Sequence, residues 1–116
     1  MKANTISIQD IKDTFQELKD CGVNVRKKLM WNYFFIDKKL AKLKEAAYSL
    51  QELGYTPDSI DEIKEGSQKY YLLKMEKTEK HTVESLAKLN TFFKAFCKKN
   101  GIFGYDGFEC NVDWMS

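Results

Sequence analysis

Residues 28–36, Lys-Leu-Met-Trp-Asn-Tyr-Phe-Phe-Ile, constrain this chain more than any other stretch. The run is rich in aromatic side chains and ends on a β-branched residue, the composition of a strand. Alternation puts Leu29, Trp31, Tyr33 and Phe35 on one side and Met30, Asn32, Phe34 and Ile36 on the other. Both sides are largely apolar, so a strand here must meet something on each of them.

Three helical patterns surround it, each followed by a glycine. Over 7–21, Ile8, Ile11, Phe15 and Leu18 form a stripe at helical spacing. Ser7 with Asp10 three positions on matches a capping box, with Asp in place of Glu, and Gly22 is the stop. A second helix is expected over 38–53, with Asp37 as N-cap, Leu40, Leu43, Ala47, Leu50 and Leu53 as its stripe, and Gly54 as its end. Thr82 caps a third over 83–100, where Val83, Leu86, Leu89, Phe93, Phe96 and Cys97 share a side and Gly101 closes it. Between helices two and three lie a polar strand, 58–65, a turn at Gly66-Ser67, and a clear strand, 68–76. A last strand is expected over 105–112.

The order is one helix and then β-α-β-β-α-β, the split pattern of ferredoxin-like folds. It predicts an α+β domain: a four-stranded antiparallel sheet with two helices on one face, preceded by the helix 7–21. With 116 residues, no linker and no repeat, the whole of 1–116 reads as one domain, its βαββαβ core over 28–113.

Composition narrows the function. The chain carries 19 basic and 17 acidic residues, a net +2, which argues against a protein held to nucleic acid mainly by charge. No apolar run approaches a membrane span, and MKANTISIQD has no signal-peptide pattern, so a mature cytoplasmic protein is expected. The three cysteines, Cys21, Cys97 and Cys110, are widely spaced and form no CxxC, so reduced thiols are expected. With His81 the single histidine, read as a solvated loop residue, no metal site is expected. No phosphate-binding glycine loop and no nucleophile elbow occurs, so neither a cofactor nor a catalytic residue is assigned.

If the helices cover one sheet face, the other is the functional question. Parity is assigned by placing Met30, Phe34, Tyr71, Leu73, Phe108 and Cys110 under the helices. Trp31, Tyr33, Phe35, Tyr70, Leu72, Tyr105 and Glu109 then form the second face. An apolar patch of that kind marks a contact. Three occupants fit it: the helix 7–21 folded over as extra core, a protein partner or second copy of the chain, or single-stranded RNA stacked on the rings. The RNA reading lacks the glycine-rich aromatic motif on its third strand, Lys69-Tyr70-Tyr71-Leu72-Leu73-Lys74. The contact residues nominated on this basis are Trp31, Tyr33, Tyr70 and Tyr105. An immunity- or antitoxin-like binding protein is a further alternative.

Gly104-Tyr105-Asp106-Gly107-Phe108-Glu109 resembles the Tyr-Asp-Gly-Trp signature of the RraB family, regulators of ribonuclease E activity, with Phe108 at the motif's Trp. Leu53-Gly54-Tyr55 resembles the family's Leu-Gly-Tyr step into the second strand, and Phe34 before Leu40 its strand-to-helix entry. The leading helix also has a counterpart there, and the resemblance spans about residues 8–113. It implies a ferredoxin-like, non-enzymatic regulator that binds an endoribonuclease and reduces RNA cleavage by protein–protein contact. Such members are strongly acidic, whereas this chain is +2. Within the signature, Asp106-Gly107 is expected to supply a bulge or a positive φ, with Tyr105 and Phe108 anchoring the strand's two faces.

Overall fold

The computed structural model of the chain describes residues 6–111. Its elements run α1 (Ile8–Asp20), β1 (Leu29–Asp37), α2 (Leu40–Glu52), β2 (Thr56–Glu65), β3 (Gln68–Glu79), α3 (Val83–Asn100) and β4 (Gly104–Asn111). The expected end of the last strand, with Val112, lies outside the described residues.

Local chemistry explains where these elements start and stop. Ser7 Oγ accepts from the Asp10 amide at 3.1 Å, and Asp10 Oδ2 accepts from the Ser7 amide at 2.9 Å. This is the reciprocal box read from the sequence. Thr82 caps α3 in the same way, with Ser85 as its partner. The helices end into Gly22, Gly54 and Gly101, all at positive φ, so the backbone turns without a Cβ penalty. Asp37 does not occupy the N-cap of α2, a position that falls to Lys39. Its carboxylate instead accepts from the Lys39 amide at 2.7 Å and the Phe103 amide at 2.8 Å, tying the start of α2 to the approach of β4.

The strands form one antiparallel sheet in the order β2-β3-β1-β4. Each strand–helix–strand unit thus brackets a strand of the other unit. The polar β2 is an edge strand, a suitable place for its charges and for Pro57, whose missing N–H breaks no inner ladder. The β2–β3 loop has Gly66 at φ 61 followed by Ser67, the order a two-residue type II′ hairpin requires.

One core cluster joins all three helices to a single sheet face. Leu43, Ala46, Ala47 and Leu50 of α2, Leu86, Phe93 and Cys97 of α3, and Ile11, Phe15 and Leu18 of α1 are all buried in it. The sheet contributes Trp31, Tyr33, Phe35, Leu73, Met75 and Tyr105. Phe93 is the hub, with ring centroids 5.0 Å from Tyr33, 5.1 Å from Phe35 and 5.2 Å from Tyr105.

This placement corrects the assignment of faces. Trp31, Tyr33 and Phe35 lie beneath the helices, and Met30, Asn32, Phe34 and Ile36 take the opposite side. Both halves of β1 are apolar, so alternation alone could not choose between them. Asn32, the one polar residue of the second set, is itself 0% exposed, so it was a poor sign of an outward face. Parity on β3 is as expected, with Leu73 inside and Tyr70 and Leu72 outward. The helix 7–21 does not cross to the second face either. It packs beside α3, with Phe15 edge-on to Trp31 at 5.8 Å.

The last strand carries the expected irregularity. Phe35 pairs with Tyr105 and Phe34 with Gly107, leaving Asp106 as the extra residue of a bulge. Gly107 sits at φ 118, where a side chain would be strained. The extra residue resets the alternation, so Tyr105 and Phe108 both reach the helix-covered face instead of anchoring two faces. Tyr105 meets Phe35 at 5.3 Å, and Phe108 meets Trp31 at 6.2 Å.

Candidate functional site

The most distinctive polar cluster forms where β3 runs into α3. The strand continues past its expected end at residue 76 to Glu79, because Leu29, Met30 and Trp31 of β1 pair with its last three residues. That extension brings Glu79 and His81 to the end of β1. Glu79 Oε2 accepts from the Tyr33 hydroxyl at 2.7 Å and lies 2.8 Å from His81 Nε2. Tyr33 and His81 are 3.0 Å apart, and His81 Nδ1 is 2.9 Å from Ser85 Oγ. Lys77 adds an ion pair to Glu79 at 3.7 Å and stands over the Tyr55 ring at 4.7 Å.

The His81 side chain is only 7% exposed and packs edge-on to Trp31 at 5.6 Å. It is not the solvated loop residue expected from its position. Glu79-Lys80-His81 was the legible clue, since residues two apart in an extended chain point the same way. Burial raises the Glu79 pKa, but hydrogen bonds from His81 and Tyr33 and the charges of His81 and Lys77 outweigh it, leaving it below the usual range. Tyr33 is pushed strongly upward, mainly by burial and then by its bond to Glu79. The phenol therefore remains a hydrogen-bond donor rather than an ionised base.

Glu79, His81 and Ser85 together have the acid–imidazole–hydroxyl order of a hydrolytic triad. Their other bonds define a different role. Ser85 Oγ accepts from the Thr82 amide at 2.8 Å and lies 3.2 Å from the Thr82 carbonyl, while the Ser85 amide is held by Thr82 Oγ1 at 3.0 Å. The hydroxyl and amide needed for nucleophile and oxyanion donor are both engaged in the helix cap. The cluster locks the N-terminus of α3 to the sheet.

The cluster forms one wall of a groove of about 820 Å³ between α1, the α1–β1 loop and the start of α3. Phe15, Val25 and Val83 give it an apolar floor, and His81, Thr82 and Ser85 a polar wall. Its rim carries four exposed cations, Lys12, Lys19, Arg26 and Lys80, and none of the described lining residues is acidic. Composition hid this asymmetry because the near-neutral total averages over it.

The nominated contact rings stand in three different places. Trp31 and Tyr33 lie behind the groove, at 1% and 0% exposure; Trp31 backs Phe15 and His81 directly. Tyr105, 2% exposed, is in the α3 interface, where its hydroxyl donates to Asn90 Oδ1 at 2.5 Å. Tyr70 alone is on the opposite face, but it is 5% exposed and packed against Phe103 at 5.7 Å, with Lys38 Nζ 5.7 Å from its ring centre. The structure does not gather the four into one exposed platform.

The thiols are likewise separate. Cys97 is buried in the core with its pKa pushed up to about 12 by burial, and Cys110 is raised to about 11 for the same main reason. Cys21 is exposed. Among the described residues no group of three or more His, Cys, Asp or Glu side chains is arranged to hold a metal ion.

Fold and groove together define a small α+β protein with one antiparallel sheet, three helices on one face, and a basic-rimmed concavity at the sheet's end. The chain belongs to the RraB family: the family model described as regulator of ribonuclease activity B matches residues 9–110, most of its length. No individual curated protein matches it. Among the described residues, no helix is long and apolar enough to cross a membrane.

Proposed function

We propose that this protein is a non-catalytic regulator that binds a protein of the RNA-processing machinery, an endoribonuclease, and lowers its cleavage of RNA. The observation that carries this reading is the match of a ribonuclease-regulator family over residues 9–110. The commitment of Glu79, His81 and Ser85 to holding a helix end supports it, because it gives the most catalytic-looking group a structural role. The strand order β2-β3-β1-β4 favours a ferredoxin-like core acting as one domain, with α1 as an addition to its helical layer. The site of action in this reading is the cytoplasm, where RNA turnover takes place.

A stacking platform for single-stranded RNA needs exposed ring faces. Trp31, Tyr33, Tyr70 and Tyr105 are each exposed by 5% or less, which favours a protein partner over stacked bases. The test is direct. Purified protein is added to the host's endoribonuclease with a labelled RNA substrate, and complex formation is followed in parallel by co-purification. Slower cleavage together with a stoichiometric complex is expected. Unchanged cleavage and no complex, at protein in excess over enzyme, would overturn the reading.

A further inference from the structure

We propose that the groove between α1 and the start of α3 is the partner-binding surface, and that it takes an acidic protein segment carrying apolar anchor side chains. The inference rests on the regulator reading for its partner being a protein; the identity of the surface and the chemistry of the segment come from the groove itself.

Three observations combine. The first is charge: Lys12, Lys19, Arg26 and Lys80 surround the opening, and no described lining residue is acidic. The nearby Glu79 does not offset them, since Tyr33, His81 and Lys77 already occupy it. The second is the floor. Phe15, Val25 and Val83 present apolar surface to the concavity, so an occupant gains by burying side chains there. Phe15 is itself 6% exposed and packed on Trp31, so the half-buried Val25 and Val83 offer most of that apolar surface. The third is stiffness. One wall is the capped N-terminus of α3, pinned by His81 and Ser85 to the sheet, so little ordering is required on binding.

Charge complementarity of this kind sets orientation and encounter rate, while the floor holds the anchors. The expected partner is a stretch in which Asp and Glu alternate with Leu or Phe. This reverses the arrangement in which an acidic regulator meets a basic segment, and it agrees with a chain of net charge +2.

The probe is a fluorescein-labelled synthetic peptide of alternating Glu and Leu, followed by anisotropy at low salt. The comparators are peptides of equal length with Lys for Glu or Ser for Leu, and a single-stranded uridine oligonucleotide. The Glu–Leu peptide is expected to bind, the Lys–Leu peptide not at all, and the Glu–Ser peptide more weakly. Lys12→Glu combined with Arg26→Glu should weaken binding about tenfold, and added salt should weaken it further. Lys99→Glu, on an exposed site outside the groove, should leave it unchanged. Equal binding to the double variant, or groove-dependent binding of the oligonucleotide in place of the peptide, would overturn the proposal. In the nuclease assay, a double variant that inhibits as well as the parent removes the groove and leaves the regulator reading standing. An inert parent chain removes the regulator reading, while the peptide titration still decides the groove.

Discussion

The Tyr33 hydroxyl donates to Glu79 Oε2 at 2.7 Å, so the middle of β1 holds the far end of β3 and, through His81, the start of α3. This bond makes stability depend on pH in a definite direction. Glu79 has a folded-state pKa below its ordinary value, so the stability it contributes is fully present above the unfolded pKa. It is lost as pH falls through the folded value. Tyr33→Phe removes one donor to a charged acceptor and should cost about 1–2 kcal/mol at neutral pH. The cost should shrink in acid, where the carboxylate is protonated in both states. Urea unfolding of the two proteins, repeated at successive pH values from about 7 downward, measures this. A cost that stays level until the folded state itself is lost to acid would mean that the bond does not depend on the ionisation of Glu79.

Trp31 marks the difference between a contact residue and a core residue. Its ring is 1% exposed, edge-on to Phe15 and His81 and tilted against Phe108. Trp31→Ala should therefore destabilise the domain by about 3–5 kcal/mol, the range for deleting a buried aromatic side chain. Met30, its neighbour on the opposite face, is 37% exposed, and Met30→Ala should cost well under about 1 kcal/mol. Chemical denaturation of both variants gives the comparison. A Trp31→Ala protein as stable as the parent would move that ring out of the core.

The contrast between those two neighbours also shows what the sequence could reveal. The spacing of apolar residues with flanking caps and glycines located α1, α2 and α3 to within two residues at each end, because helix ends are decided by local chemistry. The face of β1 is decided by what packs on it, and two apolar faces give the same alternation. Asn32 was the only asymmetry, and a single polar residue is a weak vote. On β4 the bulge at Asp106-Gly107 was legible from residue type, but its consequence was not: one unpaired residue turns Tyr105 and Phe108 to the same side. The groove is harder still. Its cations come from α1, the α1–β1 loop and the β3–α3 junction, separated by up to 68 positions between Lys12 and Lys80, and only folding brings them together.

The interior bond from the Tyr105 hydroxyl to Asn90 Oδ1 allows a sharper test of core polarity. Asn90 is 4% exposed, and its Nδ2 has no partner among the described residues, so the Tyr105 bond is the side-chain satisfaction it has there. Burial also drives the Tyr105 pKa strongly upward, keeping the phenol protonated and able to donate. Tyr105→Phe leaves the buried amide without this donor and should cost about 1–3 kcal/mol. Asn90→Leu should cost a similar amount by leaving the hydroxyl unmatched. Removing both groups together takes away the desolvation penalty each single change creates. The double variant should then be more stable than the sum of the two losses predicts, by about 1–2 kcal/mol of coupling. A double-mutant cycle on urea midpoints reads this directly. Strict additivity would show that the two side chains do not depend on one another, and that packing around Phe93 alone holds β4 to α3.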